Sequence, residues 1–205
     1  MSRPIQSSPV FLEALQAFLQ DLRRAARSPR TIEGYERDLR DFAAWMEDRY
    51  GEPLDPRAVL PEDLADYRQH LLVVRRARPA TVNRHIAALR AFFKFLATRR
   101  KIPSNPADRL PRVREARRAP RALSETELRR LLREARRASN PLHRAVIFLL
   151  AHTGLRASEL CDLRLGDLVV VERQGKPLPR AIRVRGKGEK VRTVPLNAPA
   201  REVLL

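Results

Sequence analysis

Between Ile102 and Arg121 the chain carries Pro103, Pro106, Pro111 and Pro120 among many arginines, with little periodicity of any kind. Proline blocks helix continuation and holds its neighbours extended, so no regular element runs across this stretch. The two sides must therefore fold separately, and they differ in kind. Before the stretch, every apolar pattern has helical spacing. After it, helical patterns give way to strand-like runs. The expected division is residues 1–101, a linker over 102–121, and residues 122–205. A chain of 205 residues, 43% of them hydrophobic, is long enough for two small cores.

The first part reads as four helices. Ser8-Pro9 supplies an N-cap followed by proline at the first helical position, and Phe11, Leu15, Phe18, Leu19 and Leu22 then share one face. A second helix follows Ser28-Pro29 with Ile32, Tyr35, Leu39, Phe42 and Met46 at helical spacing, and Gly51 as its stop. A third starts near Pro61, with Leu64, Tyr67 and Leu71 as its stripe. A fourth spans about Ala80 to Arg99, with Ile86, Leu89, Phe93 and Leu96 inward. Each has a single apolar face, so a small bundle buries all four.

The second part restarts at Ser124-Glu125-Thr126-Glu127, a capping box, with Leu128, Leu131 and Leu132 as the expected buried face. A helix over about Leu142–His152 is apolar nearly all round, so it is expected to be central in its domain. Gly154 ends it, and a short helix covers Ala157–Leu163. Strand-like runs follow at Leu168–Glu172, Ala181–Arg185 and Val191–Leu196, with Gly186–Lys190 as a hairpin turn between the last two. The stretch Glu172–Arg180, between the first two runs, is expected to be a loop. Asn197 caps a last helix within about two turns of Leu205, where an apolar face has only begun. This is the pattern expected of an incomplete second domain.

Net charge is +18, and only five of the 42 basic residues are lysine. Arginine's planar fork pairs with phosphate through two hydrogen bonds, which suits nucleic acid, although a genome biased towards arginine gives the same ratio. Such a bias does not explain the excess of charge. Residues 1–110 hold 20 basic and 14 acidic side chains, and residues 111–205 hold 22 and 10, so the second part is the more strongly drawn to a polyanion. The arginines of the linker are open to two readings, a solvated spacer or a strap across phosphates. No apolar run approaches the roughly 20 residues of a spanning helix, and no signal peptide is visible, so the expected location is cytoplasmic and no membrane partner is expected. Cys161, the single cysteine, reads as core. His70, His85, His143 and His152 are scattered without ligand spacing, so neither metal nor cofactor is expected. His152 reads as helix-end packing rather than a base.

Two positions can carry chemistry. Arg156 follows the helix-ending Gly154 and enters a short helix with Glu159 three residues on, which places the two on one face. That spacing suits a purely structural ion pair as well as an oriented phosphate-binding arginine. Lys187 lies between Gly186 and Gly188, where the backbone can turn tightly against a ligand. A solvated hairpin tip is the commoner role for one such lysine.

The run Thr153-Gly154-Leu155-Arg156-Ala157-Ser158-Glu159-Leu160 resembles the first active-site box of the tyrosine recombinase, or phage integrase, family and its Xer-type members. Gly186-Lys187-Gly188-Glu189-Lys190-Val191-Arg192-Thr193-Val194-Pro195-Leu196 resembles the β-hairpin that carries their catalytic lysine. Thr31–Leu39 and Thr81–Phe93 resemble their helical core-binding domain, and Asn105-Pro106-Ala107 and Arg121-Ala122-Leu123-Ser124 their passage into the catalytic domain. The resemblance covers essentially the whole chain. It implies a mainly α protein: a four-helix, SAM-like core-binding domain, then the first part of an α+β catalytic domain with a small antiparallel sheet. It also implies strand breakage and rejoining at a specific DNA site through a 3′-phosphotyrosine. Arg156 would stabilise the phosphate's charge, Lys187 would protonate the departing 5′-oxygen, and Glu159 would support the site.

The family's His-x-x-Arg box, a further His or Trp and the tyrosine nucleophile all lie beyond the hairpin. Here no histidine follows His152, and Tyr35, Tyr50 and Tyr67 all lie in the helical part. These 205 residues are therefore expected to bind double-stranded DNA without cleaving it alone, and the longer form to self-associate on DNA. The alternative is a non-enzymatic DNA-binding or regulatory protein derived from a recombinase. If the two domains clamp DNA as in the family, the second and fourth helices approach the major groove. Arg84 and Arg90 are then the expected contacts, with Asn83 as a base reader and Arg30 on a phosphate.

Overall fold

The computed structural model describes residues 8–116, 122–186 and 190–205. The chain divides into two compact units, residues 1–118 and 119–205.

Unit 1 holds α1 (Pro9–Arg24), α2 (Pro29–Tyr50), α3 (Pro61–Val73) and α4 (Pro79–Thr98), each with proline in its first turn. Proline is tolerated there because the first-turn amides have no partner inside the helix anyway. The free amides that remain are met locally. Ser8 Oγ accepts from Val10 N at 3.2 Å and Ser28 Oγ from Thr31 N at 3.3 Å, while the Asp63 carboxylate takes the Leu60 amide at 2.9 Å. Gly51, at φ 74°, ends α2 in the left-handed conformation that a side chain would resist. The four apolar stripes meet in one core built round Phe11, Phe18, Phe42, Tyr67, Phe92 and Phe93.

That core does not stop at the end of α4. Ile102, Ala107 and Leu110 are buried in it and Val113 packs on its edge, so the front half of the proline-rich stretch belongs to the bundle and is not a free spacer. Apolar residues placed between the prolines give the stretch a surface to bury.

Unit 2 holds α5 (Glu125–Arg137), α6 (Pro141–Thr153), α7 (Ala157–Cys161), a one-turn 3-10 helix at Leu165–Asp167, the strands β1 (Leu168–Arg173), β2 (Lys176–Arg185) and β3 (Val191–Pro195), and α8 (Ala198–Glu202). The three strands form one antiparallel sheet in the order β1-β2-β3. Central β2 sets Ile182 opposite both Leu168 and Val194. Ile182, Val184, Leu149, Leu155, Leu196 and Ala200 make the core. The capping box forms as expected, with Ser124 N donating to Glu127 at 2.8 Å and Glu127 N to Ser124 Oγ at 3.3 Å.

Three expectations fail here. Glu172–Arg180 is not a loop. Gln174 and Gly175, at φ 52° and 71°, make a two-residue turn that closes the Arg173–Lys176 pair and extends β1 and β2 into one hairpin. A turn with both central residues at positive φ matches the natural twist of paired strands, and Pro177 and Pro179 masked the strand in the sequence. Cys161 is exposed, because α7 is one turn long and ends there. The α5 face is only partly covered: Leu128 and Leu132 are half-buried and Leu131 is exposed, as is Leu142 on α6. Among the described residues α5 packs chiefly against α6.

Candidate functional site

The site in unit 2 begins with the way α6 stops. Thr153 Oγ1 donates to the Leu149 carbonyl and accepts from Leu155 N at 3.3 Å, and Gly154 at φ 64° reverses the chain. Leu155 is buried as a plug, and Arg156 follows at the entry to α7. A helix end anchored on both sides thus fixes where Arg156 leaves the backbone.

Glu159 is the centre of the cluster. Its side chain is only 5% exposed. It accepts from Arg156 N at 2.8 Å, from Arg156 Nη1 at 2.8 Å, and from Arg192 Nη1 and Nη2 at 2.8 and 2.7 Å. The bidentate Arg192 fork, then the Arg156 amide, hold its carboxyl far below the usual carboxylate range, and Glu159 raises the Arg192 pKa in return. Two guanidinium groups share one carboxylate, which leaves a net positive charge, and the Arg156 side chain is 72% exposed. The geometry therefore unites the two readings of Arg156: it is in an ion pair, and its head remains open to solvent and to an anion. The root of the β2–β3 hairpin closes with Gly186 N donating to the Lys190 carbonyl at 2.8 Å. A Cβ at Gly186 would come within 3.7 Å of Arg192 Nη1 and 4.0 Å of the Glu159 carboxylate. Lys187, with Gly188 and Glu189, lies outside the described residues.

Arg192 was missed from the sequence. Its strand position predicted only a side chain on a sheet face, and a partner 33 residues away carries no local signal. His152 is engaged in packing: it lies against Phe148 and hydrogen bonds Asn197 at 3.0 Å.

The folded pKa of Glu159 lies below the ordinary 4.5, so the ion cluster contributes full stability above that value and loses it as pH falls below. Glu159→Gln is expected to destabilise unit 2 at pH 7 and to flatten the loss of stability between pH 5 and 3. Thermal unfolding followed by circular dichroism across that range checks this. Parallel pH profiles for the two chains would show that the cluster contributes nothing.

In unit 1 the candidate residues are placed very differently from one another. Arg30 is exposed in the first turn of α2. Arg84 Nη1 donates to Asp38, whose side chain is 1% exposed, while the Arg84 side chain remains 38% exposed. Asn83 is buried with its whole amide engaged: Oδ1 accepts from Val113 N at 2.8 Å, and Nδ2 donates to Val113 O at 2.9 Å and to Glu115 at 2.6 Å. Arg90 donates to the carbonyls of Leu110 at 2.6 Å and Ala107 at 3.3 Å. Asn83 thus spends its amide on Val113 and Glu115, and Arg90 directs Nε and Nη2 to the carbonyls of Ala107 and Leu110 while its residue remains half-buried. Behind Arg84 runs a polar network that the sequence did not announce. Tyr67 OH donates to Asp41 at 3.0 Å and meets His85 Nδ1 at 3.1 Å, and Arg75 grips the same Asp41 at 2.6 and 2.8 Å. Burial lowers the His85 pKa, and burial followed by the Asp41 charge raises that of Tyr67.

Among the described residues no group of histidine, cysteine and acidic side chains is placed to hold a metal ion. No helix there is long and apolar enough to cross a membrane.

Residues 15–100 match the family model for the phage integrase N-terminal SAM-like domain, and residues 121–205 the model for the phage integrase family. The chain is 30% identical over 213 residues to the tyrosine recombinase XerC of Chlorobaculum parvum, covering 93% of this chain and 61% of that one. It is 36% identical over 185 residues to XerC of Pelotomaculum thermopropionicum, covering 86% and 57%. The chain thus spans about six-tenths of the length of these curated relatives. Among solved structures, the Tn1549 transposon integrase in complex with circular intermediate DNA superposes with a TM-score of 0.63 at 24% identity, covering 93% of this chain and 62% of that one. A lambda integrase tetramer bound to a Holliday junction gives 0.66 at 18% identity, covering 96% and 56%. Both show the fold. With two family models matched in order along most of its length, this chain belongs to the phage integrase family of tyrosine recombinases.

Proposed function

We propose that these residues are the DNA-engaging portion of a site-specific recombinase and bind duplex DNA without cleaving it by themselves. The observation that carries this reading is the Arg156–Glu159–Arg192 cluster. It holds an exposed guanidinium at a fixed backbone exit, on a chain with a net charge of +18. Arg156 binds the non-bridging oxygens of the phosphate to be cut, and Glu159 orients it. A tyrosine oxygen supplied from outside these residues attacks phosphorus, and its proton passes to a base. The bond from phosphorus to the 5′-oxygen breaks, and Lys187 protonates that oxygen as a 3′-phosphotyrosine forms. Of the tyrosines within the chain, Tyr67 is buried and Tyr35 stacks on Phe18, while the exposed Tyr50 donates to Asp63. Arg30 and Arg84 are the candidate DNA contacts of unit 1. Self-association on DNA belongs to the longer form, in keeping with the lambda integrase tetramer on its junction.

Electrostatic contact with phosphates makes binding fall steeply with salt. A footprint of about six phosphates implies at least a thousandfold loss of affinity between roughly 50 and 200 mM salt. Fluorescence anisotropy on a labelled duplex, paired with a denaturing gel for covalent adducts on nicked DNA, tests both halves. Salt-sensitive binding without an adduct is the expected result. An adduct formed by this chain alone, or no binding at low salt, would overturn the proposal.

A further inference from the structure

We infer that Asn83 is a positioning residue that latches residues 111–115 onto α4 before DNA arrives, so that Arg112 and Arg114 form a ready-made strap for the DNA backbone. The inference deepens the DNA-binding reading above and rests on it for the phosphate contacts, whereas the latch itself stands on geometry alone.

The contacts are those of a backbone clasp. Through its two amide atoms Asn83 both accepts from and donates to the same residue, Val113, as a neighbouring strand would, and it is only 5% exposed while doing so. A buried amide with both ends satisfied is expensive to open, because opening strands a polar group inside the bundle. Two further ties fix the approach to the clasp. Arg90 holds the Leu110 and Ala107 carbonyls, and Asn105 accepts from Ala107 N at 2.9 Å. Ala107 and Leu110 are buried and Val113 packs on the core, so the segment is seated by side chains as well as by hydrogen bonds.

Seating Val113 decides where its neighbours go. Arg112 and Arg114 flank it and are exposed, as is Arg109 one step before Leu110. No acidic partner within salt-bridge distance of Arg112 or Arg114 is found among the described residues. Two solvated guanidinium groups, separated by one anchored residue, present the same charge that an unanchored linker would have to order on binding. Ordering in advance removes that entropic penalty. Asn83 and Arg90, which the family resemblance assigned to DNA, therefore act through the strap, whose own arginines make the contact.

The experiment uses the whole 205-residue chain. Limited trypsin digestion without DNA, with the cut sites mapped by mass, reads the latch directly. Asn83→Ala is expected to raise cleavage after Arg112 and Arg114 by about tenfold, because cleavage tracks the population of the opened segment. Val113→Pro removes the N–H from the strap side and is read at Arg114, which keeps the test valid if Asn83→Ala loosens the bundle. Equal cleavage in wild type and both variants would overturn the latch. For the contacts, Arg112→Gln/Arg114→Gln is expected to reduce the slope of log affinity against log salt by about two. Asn83→Ala should weaken wild-type binding about fivefold and the double-glutamine chain not at all, since the two sets of changes act through one strap. An unchanged slope, or equal weakening in both backgrounds, would overturn the strap as a DNA contact. A wild-type chain that bound no DNA would remove the contacts together with the DNA-binding reading, while the digestion would still decide the latch.

Discussion

Replacing Phe92 by alanine is expected to remove about 4 kcal/mol from the stability of unit 1. The ring is 1% exposed. It stands edge-on to Phe11 and Phe18, with centroids 6.1 and 5.6 Å away, and also to its neighbour Phe93 at 5.3 Å. Phe92 thus joins α1 to α4, and losing it removes apolar burial and opens a cavity between rings that cannot close up without moving a helix. For a unit of this size the loss corresponds to a fall in Tm of roughly 15–30 °C. Trp45 is the only tryptophan and lies in the core of this unit, so its fluorescence follows unit 1 unfolding selectively. A loss under about 1 kcal/mol would mean that the neighbouring rings refill the space, and the packing account would be wrong.

Arg84→Ala is expected to be nearly as damaging, at about 3 kcal/mol, for a different reason. Asp38 is almost fully buried, its Oδ2 has no hydrogen-bond partner among the described residues, and Arg84 supplies the charge that Oδ1 needs. His85 Nε2 is 3.7 Å from the same oxygen, and burial keeps the imidazole towards its neutral form, so it is a poor substitute. Deleting the guanidinium leaves the Asp38 carboxyl inside the bundle with only the largely exposed Arg37, whose Nε is 3.8 Å from Oδ1, as a counter-charge. The partial exposure of Arg84 lets water reach the vacated space, which is why the figure lies at the low end for a broken buried pair. Asp38→Asn in the same chain should restore most of the loss, because a neutral amide needs no counter-charge. Urea unfolding monitored at Trp45 measures both variants. No recovery in the double variant would show that Arg84 acts by packing of its stem and not by its charge. The same measurement guards any DNA-binding test of Arg84 against reading lost folding as lost contact.

The four helices of unit 1, the proline starts of the first three and the glycine stops at Gly51 and Gly154 were legible in the sequence because each depends on residues within one or two turns. Apolar spacing, a capping hydroxyl and a positive-φ glycine are local facts. Arg156 and Glu159 were legible as a pair for the same reason, three residues apart on one helical turn. Tertiary structure alone decided the rest. It brought Arg192 from strand β3 to the Glu159 carboxylate on helix α7, buried Asp38 under Arg84, and folded the front of the proline-rich stretch into the bundle core. It also turned Asn83 and Arg90 inward to the chain's own backbone. An arginine or an asparagine carries the same donors whether it meets a phosphate or a carbonyl. Which one it meets depends on the groups that distant segments bring within 3 Å, and sequence spacing encodes no such distance.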